Sequence, residues 1–244
     1  EVEESVRAFQ NANMALKYAV RPVVAAPFGL TLGGGVEISL HCARRLAAAE
    51  TYMGFVETSV GLIPAGGGTK EMLLRIADPT CGAADGDPWV PLKEVFANLG
   101  MAKVSSSATE ARKLRYLDPE DVICMNRDRQ LEAAKQWALT QVKLNYSPIQ
   151  RREDVCMQGQ GAFSSMKLGL HLMRRAERIS DHDVLVGTAL ARVLTGGGEF
   201  TSPQRVSEQF LLDLEREAFL SLCGEKKTVE RIQHMLKTGN PLRN

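Results

Sequence analysis

The stretch that decides the fold runs from Val23 to Glu57, VVAAPFGLTLGGGVEISLHCARRLAAAETYMGFVE. Its first apolar run, residues 23–29, is closed by proline and glycine and reads as a buried strand. Three consecutive glycines follow (Gly33, Gly34 and Gly35), and then VEISLHCARRLA has helical spacing, with Val36, Leu40 and Ala43 on one face. RLAAAE reads as a second buried strand, and TYMGFVE as a short extended segment leading into a loop. Strand, helix and strand in so few residues make a βα unit, which favours an α/β core with a parallel sheet.

Glycine at a strand-to-helix turn lets the backbone approach a ligand closely. The unpaired N–H groups and positive dipole end of the helix then suit an anion or a developing oxyanion. With Gly34 near the N-cap, Glu37 falls close to the third helical position, where its carboxylate projects towards the same space. A glutamate there also suits a capping box. The second carboxylate alters the balance. Glu57 lies 20 residues later, just beyond the next strand. A strand returning beside the first brings its end to the same sheet edge, where α/β folds place their sites. Two carboxylates and a backbone donor form a kit for adding water next to a carbonyl. One carboxylate holds the water, a proton moves at the α-carbon, and the amide stabilises the enolate oxygen.

Outward from this stretch, residues 3–19 read as a helix ending before Arg21-Pro22, with Val6, Phe9, Met14 and Leu16 as its apolar positions. Pro64 and the glycines Gly66, Gly67 and Gly68 punctuate the chain before a helix at TKEMLLRIA, and residues 78–91 read as a surface excursion rich in Pro, Gly and Asp. From about residue 92 strand signals fade and helical patterns follow one another. Residues 1–91 are thus expected to form the α/β core and 92–244 a helical C-terminal region. Ser180 with Asp183 fits a helix N-cap better than a metal site, and Gly196 in TGGGEF fits a helix C-cap. His41 and Cys42 are adjacent and diverge on a helix, so they form no dyad. Arg174, Arg175 and Arg178 read as a solvated helix face.

Composition narrows the function classes. The 244 residues are 44% apolar, enough for a sizeable core, and 30 basic against 29 acidic residues leave a net charge of +1. That balance argues against general nucleic-acid or membrane-surface binding. No apolar run approaches a membrane span. The five cysteines are scattered without a CxxC pair, so reduced thiols, no metal and a cytoplasmic protein are expected. GQGAFS lacks the context of a dinucleotide fingerprint, and the Gly66–Thr69 turn lacks the Gly-Lys-Ser/Thr of a Walker A motif. No NAD site is therefore expected in this chain.

The stretch RPVVAAPFGLTLGGGVEISLHCARRLAAAETYMGFVETSVGLIPAGGGT, residues 21–69, resembles the crotonase (enoyl-CoA hydratase/isomerase) superfamily. The match rests on the glycine triplet followed by Glu37, and on the later glutamate, Glu57, with its Pro-Gly-Gly sequel. The resemblance implies a crotonase-like ββα spiral core and acyl-CoA thioesters as substrates. It also implies Glu37 and Glu57 on the attacking water, Gly34 as an oxyanion-hole amide, and a site lined by Gly33, Gly35, Pro64, Gly66 and Gly67. Pro27-Phe28 and Thr31 depart from the usual Val-Asn and alanine, so the pocket lining is expected to differ. MAKVSSSATEARKL, ISDHD and the final residues 213–244 resemble the end of bacterial fatty-oxidation proteins, in which an NAD-dependent 3-hydroxyacyl-CoA dehydrogenase precedes a crotonase-like segment.

Two further expectations come from how the chain starts. It opens at Glu1, without methionine, in helical periodicity, and the family's first oxyanion segment is not found among these residues. The core is therefore expected to be N-terminally incomplete, with a dehydrogenase module upstream as partner. The relatives' habit of assembly leaves room for a homo-oligomer. Hydration of 2-enoyl-CoA leads the readings; double-bond isomerisation and an inactive structural or oligomerisation module are the alternatives.

Overall fold

The computed structural model describes residues 1–81 and 87–244, so the middle of the expected 78–91 excursion lies outside the described residues. The chain runs α1 (Val2–Lys17), β1 (Val24–Ala25), β2 (Gly29–Leu32), α2 (Gly34–His41), β3 (Arg44–Ala48), β4 (Thr51–Gly54) and a 3-10 turn Glu57–Val60. It continues with α3 (Gly68–Met72), α4 (Trp89–Gly100), α5 (Ala108–Lys113), β5 (Val122–Cys124), α6 (Gln130–Lys143) and β6 (Val155–Met157). Last come α7 (Gly159–Arg175), α8 (Asp181–Thr195), β7 (Gln204–Val206), α9 (Glu208–Cys223) and α10 (Lys226–Thr238). The protein is α/β with a helical C-terminal region.

The run expected as one strand divides at Pro27. Proline has no N–H to give a ladder, and its carbonyl is taken by Ala48 N–H, Thr51 Oγ1 and Gln130 Nε2. As a result β1 joins a parallel sheet of order β1-β3-β5, whereas β2 pairs in parallel with β4. Leu32 lies opposite Gly54, and the next amide, Gly33 N–H, donates to Gly54 O at 2.9 Å. The glycine triplet and the approach to Glu57 thus leave two neighbouring strands at one edge.

Three short strands escape the sequence reading. β5, β6 and β7 each span three residues, too few for an alternating pattern to declare itself. β5 extends the sheet of the N-terminal part, and position 91/92 falls inside α4. One hydrophobic core runs from Val36 and Phe55 through Leu92 and Tyr116 to Leu211 and Leu222. α1 also differs from expectation. Its buried positions are Gln10, Asn13, Met14 and Lys17, a largely polar stripe at helical spacing, while Val6, Phe9 and Leu16 stay partly exposed. The caps foreseen at Ser180 and Gly196 are present: Ser180 and Asp183 form a reciprocal capping box, and Gly196 closes α8 in the left-handed region.

The thiols require a correction. Cys81 and Cys156 form a disulfide, their Cα atoms 6.3 Å apart, which brings the end of the Asp78–Thr80 turn onto β6. A separation of 75 residues gave no sequence signal for it. Among the described residues, no helix is long and apolar enough to cross a membrane.

The sheet is pinned by a buried arginine. Arg45, 1% exposed, donates through Nε to Asp121 Oδ2 at 2.6 Å and also pairs with Asp118; its own backbone N–H donates to Asp121 Oδ1 at 2.9 Å. Removing one partner leaves the other charge buried and uncompensated. Arg45→Ala is expected to destabilise the fold by about 3–5 kcal/mol in urea unfolding, with part of the loss recovered by adding Asp121→Asn. A loss below about 1 kcal/mol would remove this pair from the stabilising interactions.

Candidate active site

Gly33, not Gly34, is the N-cap of α2, which puts Glu37 at the fourth helical position, in the second turn's approach. The carboxylate makes no cap bond to its own helix. Instead it reaches across to the turn before α3, where Oε1 accepts from Gly66 N–H at 2.7 Å and Gly68 N–H at 2.8 Å. A Cβ on Gly66 would lie 2.6 Å from Glu37 Oε2, and one on Gly68 2.8 Å from Glu37 Oε1. Those glycines are needed because the carboxylate and the rings of Phe9 and Phe55 occupy the space. Glu37 is 3% exposed. Burial, followed by the negative charges of Glu215 and Glu57, pushes its carboxyl well above the usual range, against the two amide bonds.

Glu57 opens the 3-10 turn after β4 and approaches the triplet from the other side. Gly33 adopts φ 53°, and a Cβ there would meet Glu57 Oε1 at 2.8 Å, so both conformation and space demand glycine. Glu57 Oε2 is buried without a partner. Burial raises this carboxyl to about 7, opposed by the amides of Glu57 itself and Val56. Gly34 is the first residue of α2 and partly exposed, with its N–H in the first turn, where the helix offers no preceding carbonyl. Phe9 of α1 packs 3.4 Å from where a Gly34 Cβ would be.

Glu37, Glu57, Gly33 and Gly34 are therefore brought together. Gly35 is exposed on the next position of the same turn. Pro64, Gly66 and Gly67 are buried; the Gly66 amide is engaged by Glu37, and Gly67 lies against His41. His41 Nδ1 faces the Glu37 carbonyl at 2.7 Å, and since a carbonyl only accepts, Nδ1 carries the proton. Burial lowers this imidazole to about 4, so it stays neutral. Among the described residues, no cluster of His, Cys, Asp and Glu is arranged to hold a metal. Two clefts, of about 530 and 620 Å³, lie elsewhere and include neither Glu37 nor Glu57.

Residues outside the βα unit, from α1 and from the C-terminal helices, complete the site, and sequence reasoning missed them. Gln10 Nε2 donates to Ala65 O and Leu212 O, and Asn13 Nδ2 donates to Gly66 O, each at 2.8 Å. Thr228 Oγ1 donates to Gly61 O at 3.0 Å and faces His182 Nε2 at 2.9 Å, clamping the end of the turn that carries Glu57. Glu215 Oε1 accepts from Thr69 N–H at 2.6 Å and Lys70 N–H at 3.3 Å. A signal for Glu215 did exist. It stands at the core spacing of α9, among Leu211, Leu212, Ala218 and Leu222, where a carboxylate needs a reason to be.

Residues 2–82 match the family model described as enoyl-CoA hydratase/isomerase. That segment, a third of the chain, is crotonase-like. Over all 244 residues it is 44% identical to a probable 3-hydroxyacyl-CoA dehydrogenase of Bacillus subtilis, yet it spans only 30% of that relative's length. A 51-residue stretch, 21% of the chain and 16% of the relative, is 51% identical to the mitochondrial methylglutaconyl-CoA hydratase of Mus musculus. An enoyl-CoA hydratase structure from Bacillus halodurans superposes with a TM-score of 0.56 at 18% identity, over 95% of this chain and 68% of that one, which is a likeness of fold.

The crotonase-type pair has a measurable signature in stability. The folded protein holds the Glu57 proton more tightly than the unfolded chain, so its favourable contribution is complete below the ordinary carboxylate range and lost as pH rises through about 7. Glu57→Gln is therefore expected to be more stable than wild type at pH 8, by on the order of 2 kcal/mol, and to match it at pH 4. Parallel thermal-unfolding curves at both pH values would contradict the burial of this charge.

Proposed function

We propose that this chain is an enoyl-CoA hydratase-type module of fatty-acid β-oxidation, adding water across the double bond of 2-enoyl-CoA thioesters. The observation that carries the reading is the pair of carboxylates, Glu37 buried and Glu57 partly buried, meeting at the N-terminal turn of α2. Water addition needs one carboxyl protonated and one ionised. Two neighbouring carboxyls whose proton affinities are both raised supply that state as a coupled pair.

One carboxylate orients the water and takes its proton as the oxygen attacks the β-carbon. The π electrons move onto the thioester oxygen, where the Gly34 N–H at the positive end of α2 receives the enolate charge. A carboxylic acid then delivers a proton to the α-carbon, which restores the thioester carbonyl. Gly33 and Gly35 frame this position, and Pro64, Gly66 and Gly67 form the turn behind Glu37. The chain itself holds no NAD in this reading. A 3-hydroxyacyl-CoA dehydrogenase module in the same polypeptide would oxidise the 3-hydroxyacyl product with NAD, in keeping with the name of the Bacillus subtilis relative. A cytoplasmic setting and a homo-oligomer are compatible with this role.

The test follows loss of the conjugated enoyl-thioester absorbance of crotonyl-CoA, using both this chain and a version extended upstream. The extended form is expected to hydrate the substrate, and Glu37→Gln or Glu57→Gln to lower kcat by about a hundredfold or more. Conversion of a 3-enoyl-CoA without water uptake would move the assignment to isomerisation. Indifference to both substitutions would leave a structural module.

A further inference from the structure

A third buried carboxylate faces Glu37. We propose that Glu215, on α9, is a positioning residue for Glu37: it fixes the turn that cradles the Glu37 carboxylate and sets how tightly Glu37 holds its proton. The inference rests on the hydratase reading only for its consequence in catalysis, because the seating of both glutamates on one turn is a property of the fold.

Three observations converge. Glu215 is fully buried, and its Oε1 takes the amides of Thr69 and Lys70, the donors next along the chain after the Gly66 and Gly68 amides that hold Glu37. The two carboxylates thus divide the exposed donors at the N-terminal end of α3 between them. Glu215 Oε2 is buried with no partner at all, an unsatisfied atom that a purely structural cap would not require. Among the described residues, the nearby cations are engaged with other carboxylates. Lys70, the basic group of α3 nearest Glu215, gives its ammonium to Glu71 and Glu208 at 2.6 and 2.9 Å. Lys17 of α1 serves the same two carboxylates, and Arg216 on α9 is taken by Asp213 and Gln10. The charges bearing on Glu37 are then those of Glu215 and Glu57, both negative.

A like charge at such a site disfavours ionisation, so Glu215 holds Glu37 towards its protonated form. Burial also lifts the Glu215 carboxyl itself, to about 7, against the pull of Lys70.

The experiment follows the side-chain carboxyl carbons by 13C NMR in the full chain, with assignments from Glu37→Gln and Glu215→Gln. Glutamine at 215 keeps an acceptor for the Thr69 amide and removes the charge. In Glu215→Gln the proton affinity of Glu37 is expected to fall about tenfold or more, whereas in Glu37→Gln the Glu215 midpoint should move little, because Glu37 still holds its proton while Glu215 titrates. In the crotonyl-CoA assay on the extended chain, the limb of the kcat/KM profile that titrates with Glu37 should move to lower pH with KM nearly unchanged. Should Glu215→Gln fail to fold, Glu215→Met, which removes the charge at similar volume, decides in the same way. A Glu37 midpoint that stays put when the Glu215 charge is removed overturns the proposal, even if the enzyme is active. An inert wild type whose Glu37 midpoint still responds to the Glu215 charge sinks the hydratase reading and upholds this coupling.

Discussion

The structure depends on the grip of the Glu37 carboxylate on the amides of Gly66 and Gly68. A turn with successive glycines has no side chains of its own to satisfy its backbone, and burial makes each unpaired group costly. Every neighbour takes a share. The N–H groups go to carboxylates, Glu37 from α2 and Glu215 from α9, while the carbonyls of Ala65 and Gly66 go to the amide side chains of Gln10 and Asn13 on α1. This explains why the buried face of α1 is polar. The helix packs against backbone rather than against an apolar surface, and its side chains are the complement of that backbone.

The same region separates buried glutamates into two populations. For Glu37, Glu57 and Glu215 burial dominates and their carboxyls rise, that of Glu215 against the pull of Lys70. Glu71 and Glu208 are just as enclosed, and burial alone would lift them too, but Lys70 and Lys17 reverse the outcome: Glu71 falls well below the usual range and Glu208 to about 2. Four charges arranged in alternation make a neutral, rigid junction of α1, α3 and α9. Carboxyls raised by burial and carboxyls held ionised differ here by the reach of two lysine side chains.

What the sequence made legible follows from range. Glu37, Gly34 and Glu57 sit within one βα unit, where strand and helix periods alone bring them to a common edge, and the crotonase pattern lies in the same stretch. The N-cap was misplaced by one residue because Gly33 and Gly34 are equally permissive as letters; only the φ of 53° at Gly33 distinguishes them. Longer-range partners left fainter marks. Thr228 and Gln10 are ordinary residues on amphipathic helices, and their roles arise from contacts 167 and 55 positions away. Glu215 was readable in principle, as a charge in a leucine stripe. Cys81 and Cys156 were not, since an odd number of scattered thiols says nothing of which two meet.

The clamp of Thr228 on Gly61 has a consequence for how the chain is made. A ribosome releases the Glu57 turn long before it releases α10, so a nascent chain carries both glutamates while the carbonyl at the end of that turn still lacks its donor. Closing a loop of that length costs entropy that local helices never face, and it places completion of the site among the last events of folding. Synthesis therefore delivers both carboxylates before the helix that fixes the turn between them and the rest of the core.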